Sequence, residues 1–275
     1  GLFGIPAHDC ASQLLFAGLR FTLAGALVIV GMSAAQRRPL VPQARDIKPI
    51  FVLSLFQTIG QYFFFYLGLS RASAMSSSII EANANFLAIL FAALAFHTEK
   101  LNTAKVLGCV LGFTGVALVN LSGADGTFGF TLDGEGFILA STVAGALSTC
   151  LIGIFSREHD GVLLAGWQFL VGGVVLTAIG FLMGGTLSPT EIAPAIALII
   201  YMALISAVAY SLWSRLLAVN PVSRVSVFGF MNPVFGVVLS ALLLGEGAGT
   251  SPVTVIVALL LVCGGIIIVN KPKKA

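Results

Sequence analysis

Polar side chains interrupt the apolar stretch "SSSIIEANANF" at residues 76–86. Ser77, Glu81 and Asn85 are spaced i, i+4 and i+8, which places them on one face of a helix. Glu81 could hold the ammonium group of a solute, or take up and release a proton. Alternatively, it is a protonated or paired carboxylate that ties two helices together. We favour the first role and predict that this face lines a hydrated cavity, because intramembrane carboxylates are usually functional.

Two further polar lines lie elsewhere in the chain. Gln57 and Gln61 share an i, i+4 face, and Ser226 together with Asn232 forms a matching line in the second half. Aromatic side chains neighbour these lines and could stack on an apolar or aromatic solute, although each could equally anchor its helix at the lipid interface. They are Tyr62, Tyr66, Tyr210 and Trp213.

Arg20 is a second charged residue inside an apolar stretch. It could pair with Glu81 or with a solute carboxylate, or its long side chain could extend to the membrane surface. A site that presents both an acid and a base would suit a zwitterion such as an amino acid. We include Arg20 among the predicted solute-binding residues.

Transmembrane helices are the elements that must position these residues. The 275 residues are 58% hydrophobic and 9% charged, whereas soluble domains carry about 25% charged residues. Each apolar run is close to the ~20 residues that a helix needs to cross a bilayer. We predict an all-α polytopic membrane protein in a lipid bilayer, with spans at 13–33, 49–69, 73–96, 103–121, 136–156, 162–184, 195–218, 222–244 and 252–270. An ionised Glu81 facing lipid would cost about 2.5–3.5 kcal/mol.

Positive charge collects in alternate loops. One side carries Arg37, Arg38, Arg45, Lys48, Lys100, Arg157, Arg224, Lys271, Lys273 and Lys274, whereas the loops of the other side carry Arg71 alone. The positive-inside rule places the first side and the C-terminus in the cytoplasm. We expect a multi-pass protein of the cell membrane, the inner membrane of a bacterium.

The two halves of the chain resemble each other. An offset of 147 aligns Ser76 with Ser223, Asn85 with Asn232, Glu99 with Glu246 and Thr103 with Thr250, and an offset of 148 aligns "AGLRF" at 17–21 with "AGWQF" at 165–169 and Gly25 with Gly173. An odd number of spans, five, separates the equivalent positions, so the copies should have opposite orientations. Inverted repeats of this kind are typical of secondary transporters. Glu99 and Glu246 fall at helix ends, where we expect hydrogen bonds to the start of a neighbouring helix.

The repeat also predicts the domain organisation. The span at 136–156 has no counterpart before "AGLRF", so we expect a ten-helix fold whose first helix is missing here, with a nine-span protein as the alternative. The predicted domains are a first repeat at 1–121, a linker at 122–135, a second repeat at 136–270 and a basic tail at 271–275.

Five segments carry a resemblance to a known family. They are "AGLRFTLAG", "FFFYLGLSRASAMSSSII" and "FLAILFAALAFHTEKLNTAKVLGCVLGFTGVALV" in the first half, with "AYSLWSRLLAVNPVSRVSVFGFMNPVFGVVLSALLLGEG" and "VCGGIIIVN" in the second. These segments resemble the EamA module of the drug/metabolite transporter superfamily. The resemblance implies a ten-helix inverted-repeat fold and export of small metabolites, such as amino acids, or of xenobiotics.

We therefore predict a secondary-active exporter of small metabolites or drug-like compounds that works by alternating access. Proton coupling would suit Glu81, and the small-residue segments 108–115 and 262–265 could form a scaffold or a homodimer face. An intramembrane enzyme or a non-transporting scaffold is the alternative. We expect no enzyme activity, because the span interiors offer few reactive groups beyond Glu81 and Arg20. We also expect no cofactor and no nucleic-acid partner, and the sequence has no Walker motif for ATP hydrolysis.

Overall fold

The computed structural model describes residues 2–6, 8–72, 74–122, 131–232, 234–235 and 252–271. All regular elements in these ranges are helical, which confirms the predicted all-α architecture. The helices are α1 (Cys10–Gln36), α2 (Ala44–Leu53), α3 (Gln61–Leu69), α4 (Ala74–Leu90), α5 (Thr103–Ser122), α6 (Glu135–Phe155), α7 (Gly161–Leu182), α8 (Ile192–Val219), α9 (Val222–Ser226) and α10 (Pro252–Asn270). Three short segments extend them: the π-helical Ser54–Gly60 and Phe91–Ala95, and the 3-10 turn Val227–Phe230.

Seven of the described helical segments are long and apolar enough to cross a membrane, so the chain is a multi-pass membrane protein. They are Cys10–Gln36, Ala44–Leu69, Ser76–Ala95, Glu135–Phe155, Gly161–Leu182, Ile192–Val219 and Val253–Asn270. The segment Thr103–Leu118 is a shorter apolar helix. The predicted span at 222–244 begins as α9 and the 3-10 turn, and residues 236–244 lie outside the described part of the chain.

The second span begins earlier than its hydropathy predicted. Its helix starts at Ala44 because Gln43 and Asp46 form a capping box, in which each side chain meets the backbone of the other residue. The first turn of this helix is polar, and a hydropathy window therefore assigns it to the loop.

The helices group into two compact units. The first unit contains Gly1–Arg71 and Leu151–Val219, and the second contains Ala72–Cys150 and Asn220–Ala275. The chain passes between the units three times, once inside α6. Each unit therefore combines helices from both halves of the sequence.

In the first unit, α1 and α7 pack with their backbones in close contact. A Cβ atom added to Gly25 would lie 2.4 Å from the backbone nitrogen of Leu170, and one added to Gly173 would lie 2.4 Å from that of Thr22. Residue numbers rise along α1 where they fall along α7, so the two helices are antiparallel. The offset of 148 exchanges Gly25 with Gly173 and Thr22 with Leu170. These two contacts are therefore equivalent, and α1 and α7, which the repeat equates, have opposite directions.

In the second unit, α5 and α10 form a similar pair. A Cβ atom on Gly108 would lie 2.8 Å from the carbonyl oxygen of Gly265, and one on Gly115 would lie 2.8 Å from that of Ala258. These helices are also antiparallel and are also equated by the repeat. The predicted small-residue segment 108–115 thus packs within the unit, as small residues do in membrane helix pairs. The homodimer face stays a prediction.

One end of the first unit is held by polar contacts between loops and helix starts. His159 Nδ1 lies 2.6 Å from Asp46 Oδ1, and Trp167 Nε1 donates a hydrogen bond to the carbonyl oxygen of Leu40 at 2.8 Å. The first contact joins the α6–α7 loop to the first turn of α2, and the second joins α7 to the α1–α2 loop. Arg37, Arg38 and Arg157 belong to the same two loops.

Glu99 makes the helix-end contact that the sequence predicts. In the second unit it accepts hydrogen bonds from the backbone nitrogen and the hydroxyl of Ser223, at the start of α9, and from Lys105 Nζ at 2.6 Å. Burial alone would raise the pKa of Glu99, but these hydrogen bonds outweigh it and hold the pKa below its usual value of 4.5. The equivalent Glu246 lies outside the described residues.

We expect Gly25→Ala to destabilise the protein more than Gly31→Ala does. The first methyl group would meet the α7 backbone, which cannot move aside, whereas a Cβ atom on Gly31 has nothing within 4 Å. Overpacking should lower the free energy of unfolding by about 1–3 kcal/mol, measured by thermal unfolding in detergent. Equal stability of the two variants would contradict the close contact between α1 and α7.

We also expect Glu99→Gln to reduce the loss of stability in acid. A carboxyl group with a lowered folded-state pKa stabilises the protein above its unfolded-state pKa, and this contribution is lost as the pH falls through the folded value. Below about pH 4.5, melting temperatures should therefore fall more steeply for the wild type than for the variant. Parallel curves from pH 7 to pH 3.5 would show that Glu99 contributes nothing as a carboxylate.

Candidate functional site

The predicted carboxylate at Glu81 contacts hydroxyl groups in the second unit. Its Oε1 atom lies 3.3 Å from the hydroxyl of Ser141 and 3.1 Å from that of Thr142, both on α6. Ser141 and Thr142 are buried. Glu81 therefore connects α4 to α6, which agrees with the structural alternative that the sequence left open. Its described hydrogen-bond partners are neutral hydroxyls rather than a basic group.

The hydroxyl of Thr142 also contacts its own helix. Thr142 Oγ1 lies 2.7 Å from the carbonyl oxygen of Ile138 and has a single proton to donate. An ionised Glu81 and Ile138 therefore compete for that proton. A protonated Glu81 could instead donate to Thr142 Oγ1, while Thr142 donates to Ile138, so that all three oxygens are satisfied. The arrangement suits both protonation states of Glu81 but favours different hydrogen-bond patterns in each.

The other predicted residues of the second unit differ in their surroundings. Ser77 and Ser226 are buried, and neither hydroxyl has a hydrogen-bond partner in the described part of the chain. Asn85 packs on the backbone of Gly229, where a Cβ atom would lie 2.1 Å from Asn85 Oδ1. Asn232 is exposed. The 3-10 turn between Ser226 and Asn232 changes the rotation per residue, so these two do not share one environment.

The predicted amide at Gln57 belongs to a buried polar cluster in the first unit. Gln57 lies in the π-helical segment and accepts a hydrogen bond from Gln168 Nε2 on α7. The hydroxyl of Ser54 lies 2.7 Å from the carbonyl oxygen of Ile50 and 3.1 Å from that of Gln168. Gln168 Oε1 and Thr58 Oγ1 are buried, with no hydrogen-bond partner among the described residues. Because π-helical turns are frequent at functional sites, this cluster is a candidate for solute contact.

An aromatic cluster in the first unit obeys the repeat. Phe21 stacks on Phe169 with ring centroids 5.0 Å apart, and the hydroxyls of Tyr62 and Tyr210 lie 3.2 Å apart. Phe21 also contacts Tyr62 at 4.4 Å, and Phe169 contacts Tyr210 at 4.8 Å. Phe21 and Phe169, like Tyr62 and Tyr210, are 148 positions apart. A pseudo-two-fold axis therefore passes between the two phenylalanines and between the two tyrosines.

Arg20 breaks the symmetry of this cluster. The offset of 148 equates it with Gln168, so a charged guanidinium on α1 corresponds to a neutral amide on α7. Its Cζ atom lies 4.4 Å from the ring centroid of Phe21 and 5.8 Å from that of Tyr62. Its Nε atom is buried without a hydrogen-bond partner among the described residues. The guanidinium is held over aromatic faces and keeps a donor for an anionic group.

The remaining predicted residues of the first unit are half-buried. Gln61 begins α3, Trp213 lies on α8, and Tyr66 lies with its ring centroid 6.3 Å from that of Tyr62. The structure therefore brings Arg20, Tyr62, Tyr66 and Tyr210 into one aromatic region. The predicted pairing of Arg20 with Glu81 stays a prediction, since the two residues belong to different units.

Sequence reasoning missed three polar partners. Ser141 and Thr142 escaped notice because single hydroxyls are common in membrane helices and carry no charge. Gln168 could have been found, since the alignment of "AGLRF" with "AGWQF" places it opposite Arg20. The internal repeat therefore equates individual residues as well as whole helices, and it would have identified Gln168.

A family model matches almost the whole chain. The EamA-like transporter family matches residues 9–121 and again residues 132–271. The chain belongs to the EamA-like transporter family. Members of this family are built from repeated helical bundles, which agrees with the all-helical fold and the internal repeat of this chain.

Relatives from bacteria, plants and archaea share the sequence along most of this chain. An uncharacterized transporter of Bacillus subtilis, YvbV, is 27% identical over 95% of this chain and 84% of its own length. The WAT1-related protein At3g02690 of Arabidopsis thaliana, described as chloroplastic, is 26% identical over 84% of this chain and 57% of its own length. An uncharacterized transporter from the sor 3′ region of Acidianus ambivalens is 26% identical over 80% of each chain.

A solved crystal structure shares the fold. It superposes with a TM-score of 0.79 at 21% sequence identity, covering 98% of this chain and 90% of the other. At that identity the likeness establishes the architecture alone. The evidence for function therefore comes from the side chains of the candidate site and from family membership.

Proposed function

We propose that this protein is a secondary-active transporter that exports small metabolites, such as amino acids or drug-like compounds, by alternating access. Family membership and the antiparallel packing of repeat-equivalent helices support this proposal, because inverted repeats underlie alternating access in many transporters. The observation that carries it is the carboxylate of Glu81, which sits in an apolar helix with hydroxyl groups as its described partners.

A proton is the coupling ion that best suits Glu81. Two hydrogen-bond patterns are available to Glu81, Thr142 and Ile138, one for each protonation state, and a proton-coupled step needs a group that changes between two such states. Neutral hydroxyls can stabilise either form, whereas an adjacent basic side chain would hold the carboxylate ionised. We propose that Glu81 binds and releases the coupling proton.

The solute class follows from the guanidinium of Arg20, whose Nε has no hydrogen-bond partner among the described residues. A guanidinium is a strong donor to a carboxylate, and an amino acid carries one. The rings around Arg20 would favour solutes that also present an apolar or aromatic side chain. We propose a zwitterionic amino acid with an apolar side chain as the first solute to test.

The proposed setting is the bacterial inner membrane with the C-terminus in the cytoplasm, on the basis of the loop charges. The proposed organisation is a first EamA repeat at 1–121, a linker at 122–135, a second repeat at 136–270 and a basic tail. We propose no catalytic step, since the candidate groups suit binding and proton exchange.

Glu81→Gln should separate transport from proton coupling. In proteoliposomes, the variant should retain counterflow of labelled amino acids but lose accumulation driven by a pH gradient by about tenfold or more, because Gln cannot exchange a proton. Glu158→Gln, which removes an exposed loop carboxylate, is the matched control and should behave as the wild type does.

Other outcomes of this experiment are equally informative. Loss of both counterflow and accumulation in Glu81→Gln would assign Glu81 to solute binding and contradict the proton role. Unchanged accumulation would remove Glu81 from the mechanism. A wild type that exchanges neither amino acids nor drug-like compounds under any gradient would contradict the transport proposal itself.

Arg20→Gln should impair transport of solutes that carry a carboxylate. The substitution gives α1 the residue that α7 has at the equivalent position, so the helix pair should still form. We expect the KM for an apolar amino acid to rise about tenfold or more, with little change for the corresponding amine that lacks the carboxylate. Arg157→Gln, an exposed arginine, is the control. An equal effect of Arg20→Gln on both solutes would contradict carboxylate recognition.

A further inference from the structure

The first unit contains an apolar groove that the proposed transport chemistry does not use. Its volume is 410 Å³, and its wall is formed by α1, α8 and the start of α7. The lining is apolar apart from Ser211 and Arg215, and includes Leu27, Gly31, Leu204, Val208 and Leu212. Leu204, Val208 and Leu212 are each about half exposed, with relative accessibilities of 51%, 53% and 54%. The groove is therefore open along the side of α8.

Arg215 gives this groove a charged end. It lines the groove and is exposed, and it forms no hydrogen bond or ion pair with any residue that the structure describes. The same end of the unit is where α1 and α8 finish and α7 begins, and its loops carry Arg37, Arg38 and Arg157. A ligand that fits this environment needs an aliphatic chain and an anionic group at one end.

The length of the groove matches one leaflet of a bilayer. Leu204 and Arg215 mark its two ends on α8, and eleven residues at 1.5 Å per residue give about 16 Å. Half of the roughly 30 Å hydrocarbon core is about 15 Å. An acyl chain that starts beside Arg215 would therefore run the length of the groove and end near the middle of the membrane.

Gly31 leaves open space in the α1 wall of the groove. A Cβ atom added there would have nothing within 4 Å. This distinguishes it from Gly18 and Gly25 on the same helix, whose missing side chains admit the α7 backbone. Because Gly31 lines the groove, a large side chain at this position would occupy space that a ligand could otherwise fill.

We propose that this groove binds one anionic phospholipid, with an acyl chain between α1 and α8 and the phosphate on Arg215. Basic residues at the cytoplasmic side of transmembrane helices attract anionic headgroups, and a groove adds selectivity for one bound lipid over those that merely surround the protein. The bound lipid would stabilise the packing of α8 on α1 by occupying space that would otherwise remain unfilled.

Native mass spectrometry of the delipidated full-length chain in detergent tests this proposal. The protein is titrated with phosphatidylglycerol, with phosphatidylcholine and with diacylglycerol, which are anionic, zwitterionic and uncharged respectively. We expect one tight adduct with phosphatidylglycerol, weaker binding of phosphatidylcholine and the weakest binding of diacylglycerol. Equal affinity for all three lipids would overturn the role of the anionic headgroup.

Two substitutions test the charge and the open space of the site. Arg215→Gln should weaken phosphatidylglycerol binding about fivefold, as expected for the loss of one basic residue at the membrane surface. Gly31→Phe should fill the groove and weaken binding tenfold or more. Arg224→Gln, an exposed arginine of the second unit, is the control for charge. Gly264→Phe is the control for size, because Gly264 in the second unit also has nothing within 4 Å of an added Cβ atom.

The controls distinguish lipid binding in the groove from misfolding of a variant and from self-association of the chain. Thermal unfolding without lipid verifies that each variant is folded, and Arg215→Gln tests the site even if Gly31→Phe does not fold. Equal phosphatidylglycerol binding by Gly31→Phe and Gly264→Phe would overturn the proposal. If Gly31→Phe changes only the ratio of monomer to dimer, the groove is an interface between copies of the chain, which also overturns it.

Discussion

Close backbone contact between antiparallel helices is the constraint on which the rest of this structure depends. In lipid, helices gain little from hiding apolar surface from one another, so packing and small residues must hold them together. Gly25 and Gly173 admit the opposite backbone at equivalent points of α1 and α7. This contact fixes the pseudo-two-fold axis, and the axis in turn brings Phe21 onto Phe169 and Tyr62 onto Tyr210.

Function in such a protein is to be sought where the two copies differ. Symmetric positions such as Gly25 and Gly173 serve packing, and both copies need the same residue for it. Arg20 and Gln168 occupy equivalent positions with different chemistry. Arg20 Nε has no hydrogen-bond partner among the described residues, whereas Gln168 completes an amide pair with Gln57. The symmetric helix pair is thus a scaffold, and the asymmetric side chains on it are the candidates for solute recognition.

Among the described residues, Glu81 has hydroxyl groups of α6 as its hydrogen-bond partners and no basic side chain. The Thr142 hydroxyl can donate either to Glu81 or to the carbonyl oxygen of Ile138 in its own helix. Glu99 is the contrasting case. It lies outside the spans and is fixed by Lys105 and Ser223, which suits a structural role and leaves little freedom to change its protonation state.

The sequence by itself determined the helical class, seven of the spans and the repeat, because hydropathy over ~20 residues and a constant offset are properties of the linear chain. It also marked Glu81, Gln57 and Arg20, since a polar group in an apolar run is conspicuous wherever the helix lies. Only the tertiary structure decided their partners. Ser141, Thr142 and Gln168 lie about 60 to 110 positions away from Glu81 and Gln57, and an ordinary hydroxyl or amide becomes significant only when packing places it beside a buried charge or amide.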